Sequence, residues 1–312
     1  MTDRPSWVPL EAEAPTAPAP VPGAAVAAEV DGEGGRGERR PGGPLRMHPM
    51  TIPDILDGAF TLLKANAKAV LLVSAVFIVP VQLLTAYLQR DVLGGFSLFD
   101  VFQDPSTAQA LVDQGGGTGA GQGFVVGLAS RALVLPALAG AVSFLVARSY
   151  LGEEVVASVA LRVGLRRWWS LVVAWVLVHI IEFLAAPFLL LPGLLAMALF
   201  IPVAPIIAIE GVGAFKAMRR SVRLMGRRLF PGLGVALASG LLAGAVGTAL
   251  GVIPQLAAYG VGLRRGWVIL AAGTTITSLL TTPLIVIVAT LVYFDARIRR
   301  EGLDLEVMAA GL

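Results

Sequence analysis

The 312-residue chain has no cysteine, only two histidines (His48 and His179), and only three lysines against 21 arginines. Without thiols there is no disulfide framework, no thiolate metal site and no cysteine nucleophile. Charged residues make up 14% of the chain and the net charge is +3, too small an excess to point to nucleic acid. No nucleophile, metal cluster or acid–base pair stands out, so the chain reads as a non-enzyme that needs no cofactor. What it has in abundance is apolar surface. Hydrophobic residues reach 56% and mean hydropathy is +0.79, above the roughly 45–50% apolar usage of soluble domains. This composition places the chain in a bilayer.

Residues 1–50 are the exception, with nine prolines from Pro5 to Pro49, a glycine cluster between Gly32 and Gly43, and no apolar periodicity. Such a stretch cannot bury enough surface to offset its ordering entropy and reads as a disordered tail. It lacks the basic start and apolar core of a signal peptide. Beyond it, a membrane domain over 51–307 carries apolar runs at Ala69–Leu88, Phe124–Ala147, Trp169–Ile209, Leu229–Leu263 and Gly266–Phe294. The third run is long enough for two helices, with a turn at Pro187 or at Pro192-Gly193. The fifth helix is expected to end near Pro254, and residues 308–312 form a short tail.

Six crossings put both ends on one side. Arg90, Arg131, Arg264 and Arg265 then fall on the opposite side, leaving twenty of the 24 basic residues with the tails. Positive charge is retained in the cytoplasm, so both termini are predicted cytoplasmic in a bacterial plasma membrane. The outer loop, 89–123, carries Asp91, Asp100, Asp104 and Asp113. Its glycine run has neither the Gly-Lys-Ser/Thr ending of a phosphate loop nor a preceding strand, and reads as a linker.

Three segments on the basic side have helical amphipathicity. Thr51 and Asp54 form a capping pair ahead of Ile52, Ile55, Leu56, Ala59, Phe60 and Leu63. Val156, Val159, Ala160 and Val163 oppose Arg162 and Arg166, followed by Trp168 and Trp169. Phe215, Met218, Val222, Met225 and Leu229 form a stripe beside Lys216, Arg219, Arg220, Arg223, Arg227 and Arg228. Each segment either lies in the membrane surface or packs across the bundle ends. The six cations are candidate contacts for anionic headgroups, each contributing about 1 kcal/mol against an anionic leaflet. Because each segment leads into an odd-numbered crossing, the chain reads as three diverged repeats of a surface helix and a hairpin.

Three separated phrases carry a family resemblance: Met50-Thr51-Ile52-Pro53-Asp54-Ile55-Leu56-Asp57-Gly58-Ala59-Phe60, then Ala208-Ile209-Glu210-Gly211-Val212-Gly213-Ala214 running into Arg219-Arg220-Ser221, then Tyr293-Phe294-Asp295-Ala296-Arg297-Ile298-Arg299-Arg300-Glu301-Gly302-Leu303-Asp304-Leu305. In this order, across residues 50–307, they resemble the glycerophosphoryl diester phosphodiesterase membrane-domain family of bacterial integral membrane proteins. That family is named after members fused to a phosphodiesterase barrel. A barrel needs about 250 further residues of alternating strands and helices, so the resemblance implies a membrane domain and carries no reaction over.

Two further sets of residues are candidates. His179 and Glu182 share a helix face inside a crossing, where ionisable groups are expensive unless paired. They read as a proton or cation pathway, a structural polar pair, or a Glu reaching the outer edge. Gly240, Gly244, Gly247 and Gly251 line one face of the fifth helix as a packing seam, within a protomer or between protomers. The hydroxyls of Thr274, Thr275, Thr277, Ser278, Thr281 and Thr282 either satisfy backbone freed by Pro283 or line a polar conduit. The expectation is therefore an all-α polytopic protein with six transmembrane helices and three amphipathic surface helices. It engages anionic lipid, a membrane-protein partner or a second copy, and not nucleic acid. A transporter or channel using a path near His179 and Glu182 is the alternative.

Overall fold

The computed structural model describes residues 49–91, 97–104, 106, 118–153, 156–185 and 191–303. The tail before residue 49, much of the loop expected at 89–123, the stretch containing Pro187 and the tail at 308–312 lie outside these residues. Every regular element among the described residues is a helix, the economical way to satisfy backbone polar groups where water is absent. Six stretches, 67–88, 127–150, 168–185, 192–210, 229–260 and 263–301, are long and apolar enough to cross a bilayer. The chain is an all-α, multi-pass membrane protein.

The order of elements recurs three times. The first round is α1 (Ile52–Ala65), α2 (Ala67–Leu88) and, after the short α3 (Leu98–Gln103), α4 (Thr118–Tyr150). The second is α5 (Ala157–Arg166), α6 (Trp168–Ala185), α7 (Leu191–Phe200) and α8 (Val203–Glu210). The third is α9 (Ala214–Met225), α10 (Leu229–Gly260) and α11 (Leu263–Glu301). Each round begins with a short amphipathic helix and closes just before a glycine at positive φ: Gly152 at 82°, Gly211 at 67° and Gly302 at 67°. Left-handed backbone there frees the chain to leave a helix, which a Cβ would disfavour.

The start of α1 follows the sequence reading. The Thr51 hydroxyl accepts from the Asp54 N–H, and the Asp54 carboxylate accepts from the Thr51 N–H at 2.8 Å, with Pro53 in the first turn where no N–H is needed. Two expectations are corrected, the turn at Pro192-Gly193 and the end of the fifth helix, and one helix is longer than its apolar run. The helix that holds the second apolar run extends back to Thr118, while its membrane-length apolar part begins at Gly127, close to the expected Phe124. Pro192 and Gly193 lie inside α7 and are not the turn. α10 does not end near Pro254 but continues to Gly260. A helix surrounded by apolar groups tolerates an internal proline because neighbouring helices accommodate the ring. Here Gly273 supplies the space, since a Cβ built on it would lie 2.4 Å from Pro254 Cβ.

The core sits at one end of the bundle, on the side where Met50 meets the end of α11. Each returning crossing contains a proline, Pro136 in α4, Pro202 between α7 and α8, and Pro283 in α11. The residues after these prolines supply much of the buried interior: Leu138, Leu145 and Tyr150; Ile206 and Ile207; Ile287, Leu291 and Phe294. Tyr150 stacks on Phe294 with centroids 4.6 Å apart. The amphipathic helices pack around these segments through Ile55, Ala59 and Leu62, through Ala160 and Gly164, and through Ala217 and Leu224. Close approach of α5 to α4 needs Gly164, where a Cβ would lie 2.6 Å from the Ala137 carbonyl oxygen. The opposite end is held by fewer contacts, among them the edge-on Tyr87–Trp267 pair at 5.5 Å and the Arg264–Asp91 ion pair at 3.3 Å.

Candidate functional site

Two ion-pair clusters lie at the end of the bundle that carries the core. In the first, Asp295 of α11 is only 4% exposed. Its Oδ1 accepts from the Met50 N–H and from Arg299 Nε, both at 2.8 Å, and its Oδ2 pairs with Arg228 at the start of α10. Arg299 also donates to the Met50 carbonyl oxygen at 2.9 Å. Both backbone groups of Met50 are thus held by the last helix, and a single carboxylate gathers two guanidiniums. A buried carboxylate needs such partners, because an uncompensated charge there is strongly destabilising.

In the second cluster, Arg220 of α9 donates through Nε to Glu210 at 2.5 Å and pairs bidentately with Glu301 at 3.0 Å. The Tyr293 hydroxyl donates to Glu210 at 2.9 Å, and Arg297 Nε donates to Glu301 at 2.8 Å. Burial works against the charge on Arg220, but its hydrogen bonds to the Glu210 and Glu301 carboxylates and their negative charges outweigh it and hold the guanidinium's pKa above its ordinary value. Met50, Glu210 with Arg220, and the Tyr293–Glu301 end of α11 come from the three phrases that carry the family resemblance. The fold brings all three to one end of the bundle.

The basic helix α9 differs from its expected orientation. Its buried side is Ala214, Ala217, Ser221, Leu224 and Met225, and the Ser221 hydroxyl donates to the Leu199 carbonyl at 2.6 Å. Phe215, expected in the apolar stripe, is 74% exposed, as are Val222 and Phe230 to differing degrees. Small residues let α9 lie close to the bundle, which turns the stripe by part of a turn. Of the six candidate lipid contacts, Lys216, Arg219, Arg223 and Arg227 are exposed. Arg220 and Arg228 face inward, because Glu210, Glu301 and Asp295 attract them into ion pairs.

The remaining candidates separate. His179 is exposed, its ring stacks on Trp175 at 3.8 Å, and its Nδ1 lies 2.8 Å from the Trp175 carbonyl oxygen of the same helix. Among the described residues no hydrogen bond joins His179 to the partly buried Glu182. Gly247 and Gly251 face Thr277 and Thr281 of α11, with Thr277 Oγ1 3.4 Å from a Cβ built on Gly251. Gly240 and Gly244 face open space in the single chain, so within it only Gly247 and Gly251 line a helix contact. The hydroxyls of Thr274, Thr281 and Thr290 donate to carbonyls one turn back, while Ser278 accepts from Gln82 Nε2 of α2 at 2.7 Å. Among the described residues no three His, Asp or Glu side chains group to hold a metal.

Sequence reasoning missed Asp295, Arg299, Glu210 and Glu301. Their signal was present: acidic groups at the ends of apolar runs, and Asp295–Arg299 and Arg297–Glu301 at the i, i+4 spacing of helix ion pairs. No protein-family model, curated protein or solved structure matches the chain.

Proposed function

We propose that this is a non-enzymatic integral membrane protein that engages anionic lipid headgroups through its basic end, with both termini in the bacterial cytoplasm. We also propose, on the three phrases quoted above, that it is a stand-alone relative of the glycerophosphoryl diester phosphodiesterase membrane-domain family. One observation carries the lipid reading. The side of α9 turned away from the bundle presents Lys216, Arg219 and Arg223, followed by Arg227 in the turn after it, beside exposed Phe215 and Val222. Cations that reach phosphates while neighbouring apolar side chains enter the acyl boundary are the chemistry of an interfacial helix.

The test uses the full chain in nanodiscs, with an environment-sensitive fluorophore at Phe215→Cys. Emission should shift to the blue in anionic discs relative to neutral ones, and salt should reduce the shift, since screening acts over about 8–10 Å. Replacing Lys216, Arg219, Arg223 and Arg227 together with Gln should abolish the lipid dependence. Equal emission in both discs would sink the reading and favour a protein partner. Orientation is tested separately in this cysteine-free chain. Phe102→Cys should label from outside intact cells and Lys216→Cys should not. Ser221 is unsuitable for that purpose because it is buried.

A further inference from the structure

A cavity of about 300 Å³ opens between the start of α1, the start of α10 and the end of α11. That is the lower limit of small-molecule sites, roughly 300–1,000 Å³. Its polar side is Arg228, Asp295 and Arg299, and its apolar side includes Ile55, Val235 and Val292. We infer that this cavity binds the phosphate of one anionic lipid, whose glycerol and first methylenes lie along the apolar side.

The hydrogen-bond inventory supports an anion. Both Asp295 oxygens are occupied, by the Met50 N–H, Arg299 and Arg228. Arg228 uses only Nη1 on protein, and Arg299 uses Nε and Nη2. That leaves Nε and Nη2 of Arg228 and Nη1 of Arg299 without acceptors among the described residues, around a cavity whose lining carries two positive charges and one negative. Two partly exposed guanidiniums lining one cavity, each with N–H groups to spare, suit the oxygens of a phosphate, which accept several charge-assisted hydrogen bonds at once.

The apolar side and the position favour a lipid over a free phosphate. Ile55, Val235 and Val292 offer nothing to a small hydrated anion, whereas they match the hydrocarbon next to a headgroup. The cavity is lined by Pro231 at the start of α10, next to Phe230, which is 77% exposed. α10 is the least buried of the six long helices, so an acyl chain leaving the cavity can continue along its flank. This inference rests on the reading that the basic end meets anionic headgroups. It adds one stoichiometric site, on different residues from the exposed cations of α9.

The experiment is native mass spectrometry of the delipidated full chain in detergent, titrated with phosphatidylglycerol, phosphatidylcholine or inorganic phosphate. The first phosphatidylglycerol should bind about tenfold more tightly than phosphatidylcholine, and inorganic phosphate at equal concentration should not displace it. Two variants alter the cavity by different means. Val235→Phe fills the apolar side and keeps every ion pair. The double change Arg228→Gln with Asp295→Asn removes one charge of each sign, and Arg299, which loses its carboxylate partner, keeps the Met50 carbonyl oxygen as acceptor. Each should weaken the first adduct about tenfold, and whichever elutes as a single species is scored. The quadruple Gln variant of α9 should keep that adduct, even where the fluorescence shift is lost. Equal affinity for both lipids, a wild-type adduct in the scored variants, or its loss in the α9 variant would each overturn the site. Displacement by inorganic phosphate would overturn the lipid as its source.

Discussion

The two halves of α11 share one helix and differ in their surroundings. From Pro283 to Ala296 all but a few side chains are buried, including Ile287, Leu291, Tyr293 and Phe294. Before Pro283, Val268, Ile269, Ile276 and Leu280 are exposed, and contact with neighbouring helices runs through a small cluster around Leu270 and Trp267 and through small and hydroxyl-bearing residues. Both halves are apolar because neither meets water. Hydropathy distinguishes a dry environment from a wet one but not protein from lipid, and lipid tails are as apolar as leucine. Stability should therefore be concentrated beyond the proline, where packing and ion pairs coincide.

The sharpest way to break this contrast is Asp295→Ala, which strands Arg228 and leaves the Met50 N–H without its acceptor. Loss of a partner from a buried ion pair costs about 3–5 kcal/mol, to be read from unfolding in mixed micelles. A value near zero would mean that the carboxylate cluster does not anchor the core. Next in size, Leu291→Ala should cost about 2 kcal/mol, whereas Ile276→Ala on the exposed half should stay within about 0.5 kcal/mol. Equal costs would erase the distinction between the halves. Smaller again, Gln82→Leu removes the interhelical bond to Ser278 and should cost about 0.6 kcal/mol, the average for such bonds in a membrane protein.

The smallest effect concerns α3, between the first two crossings. Hydrogen bonds from the Ser97 backbone N–H and side chain hold the Asp100 carboxyl below its ordinary 3.8. A depressed carboxyl supports the folded cap above its ordinary value and releases it as pH falls through the lowered one. Ser97→Ala should therefore move the Asp100 titration, followed by NMR, back toward 3.8. An unmoved midpoint would show that the side chain contributes nothing to the cap.

Much of the architecture was legible in the sequence. The runs from Ala69 to Leu88 and from Gly266 to Phe294 gave spans because twenty apolar residues have few other solutions, and Thr51 with Asp54 marked a helix start to the residue. The phase of α9 was not legible. Phe215 and Val222 look like core by hydrophobicity, but Ala217 and Ser221 are the residues small enough to let the helix approach α7, and packing decided the matter. Arg220 and Arg228 were grouped with their neighbours because spacing along one helix shows which side chains share a face. It does not show which acidic groups, ten or 67 residues away in sequence, will meet them. His179 and Glu182 share a face, but that alone did not join them by a hydrogen bond.

The clamp on Met50 has a consequence for how the protein is made. Its partner Asp295 lies 245 residues further along the chain, and synthesis at roughly 5–20 residues per second puts about 12–50 s between the emergence of the two. Throughout that interval α1 has neither its ion-pair anchor nor the α11 segment against which it packs. The first helices must wait in the bilayer with their inner faces uncovered until the last crossing arrives, and the nascent chain is open to capture by insertion chaperones for that whole time.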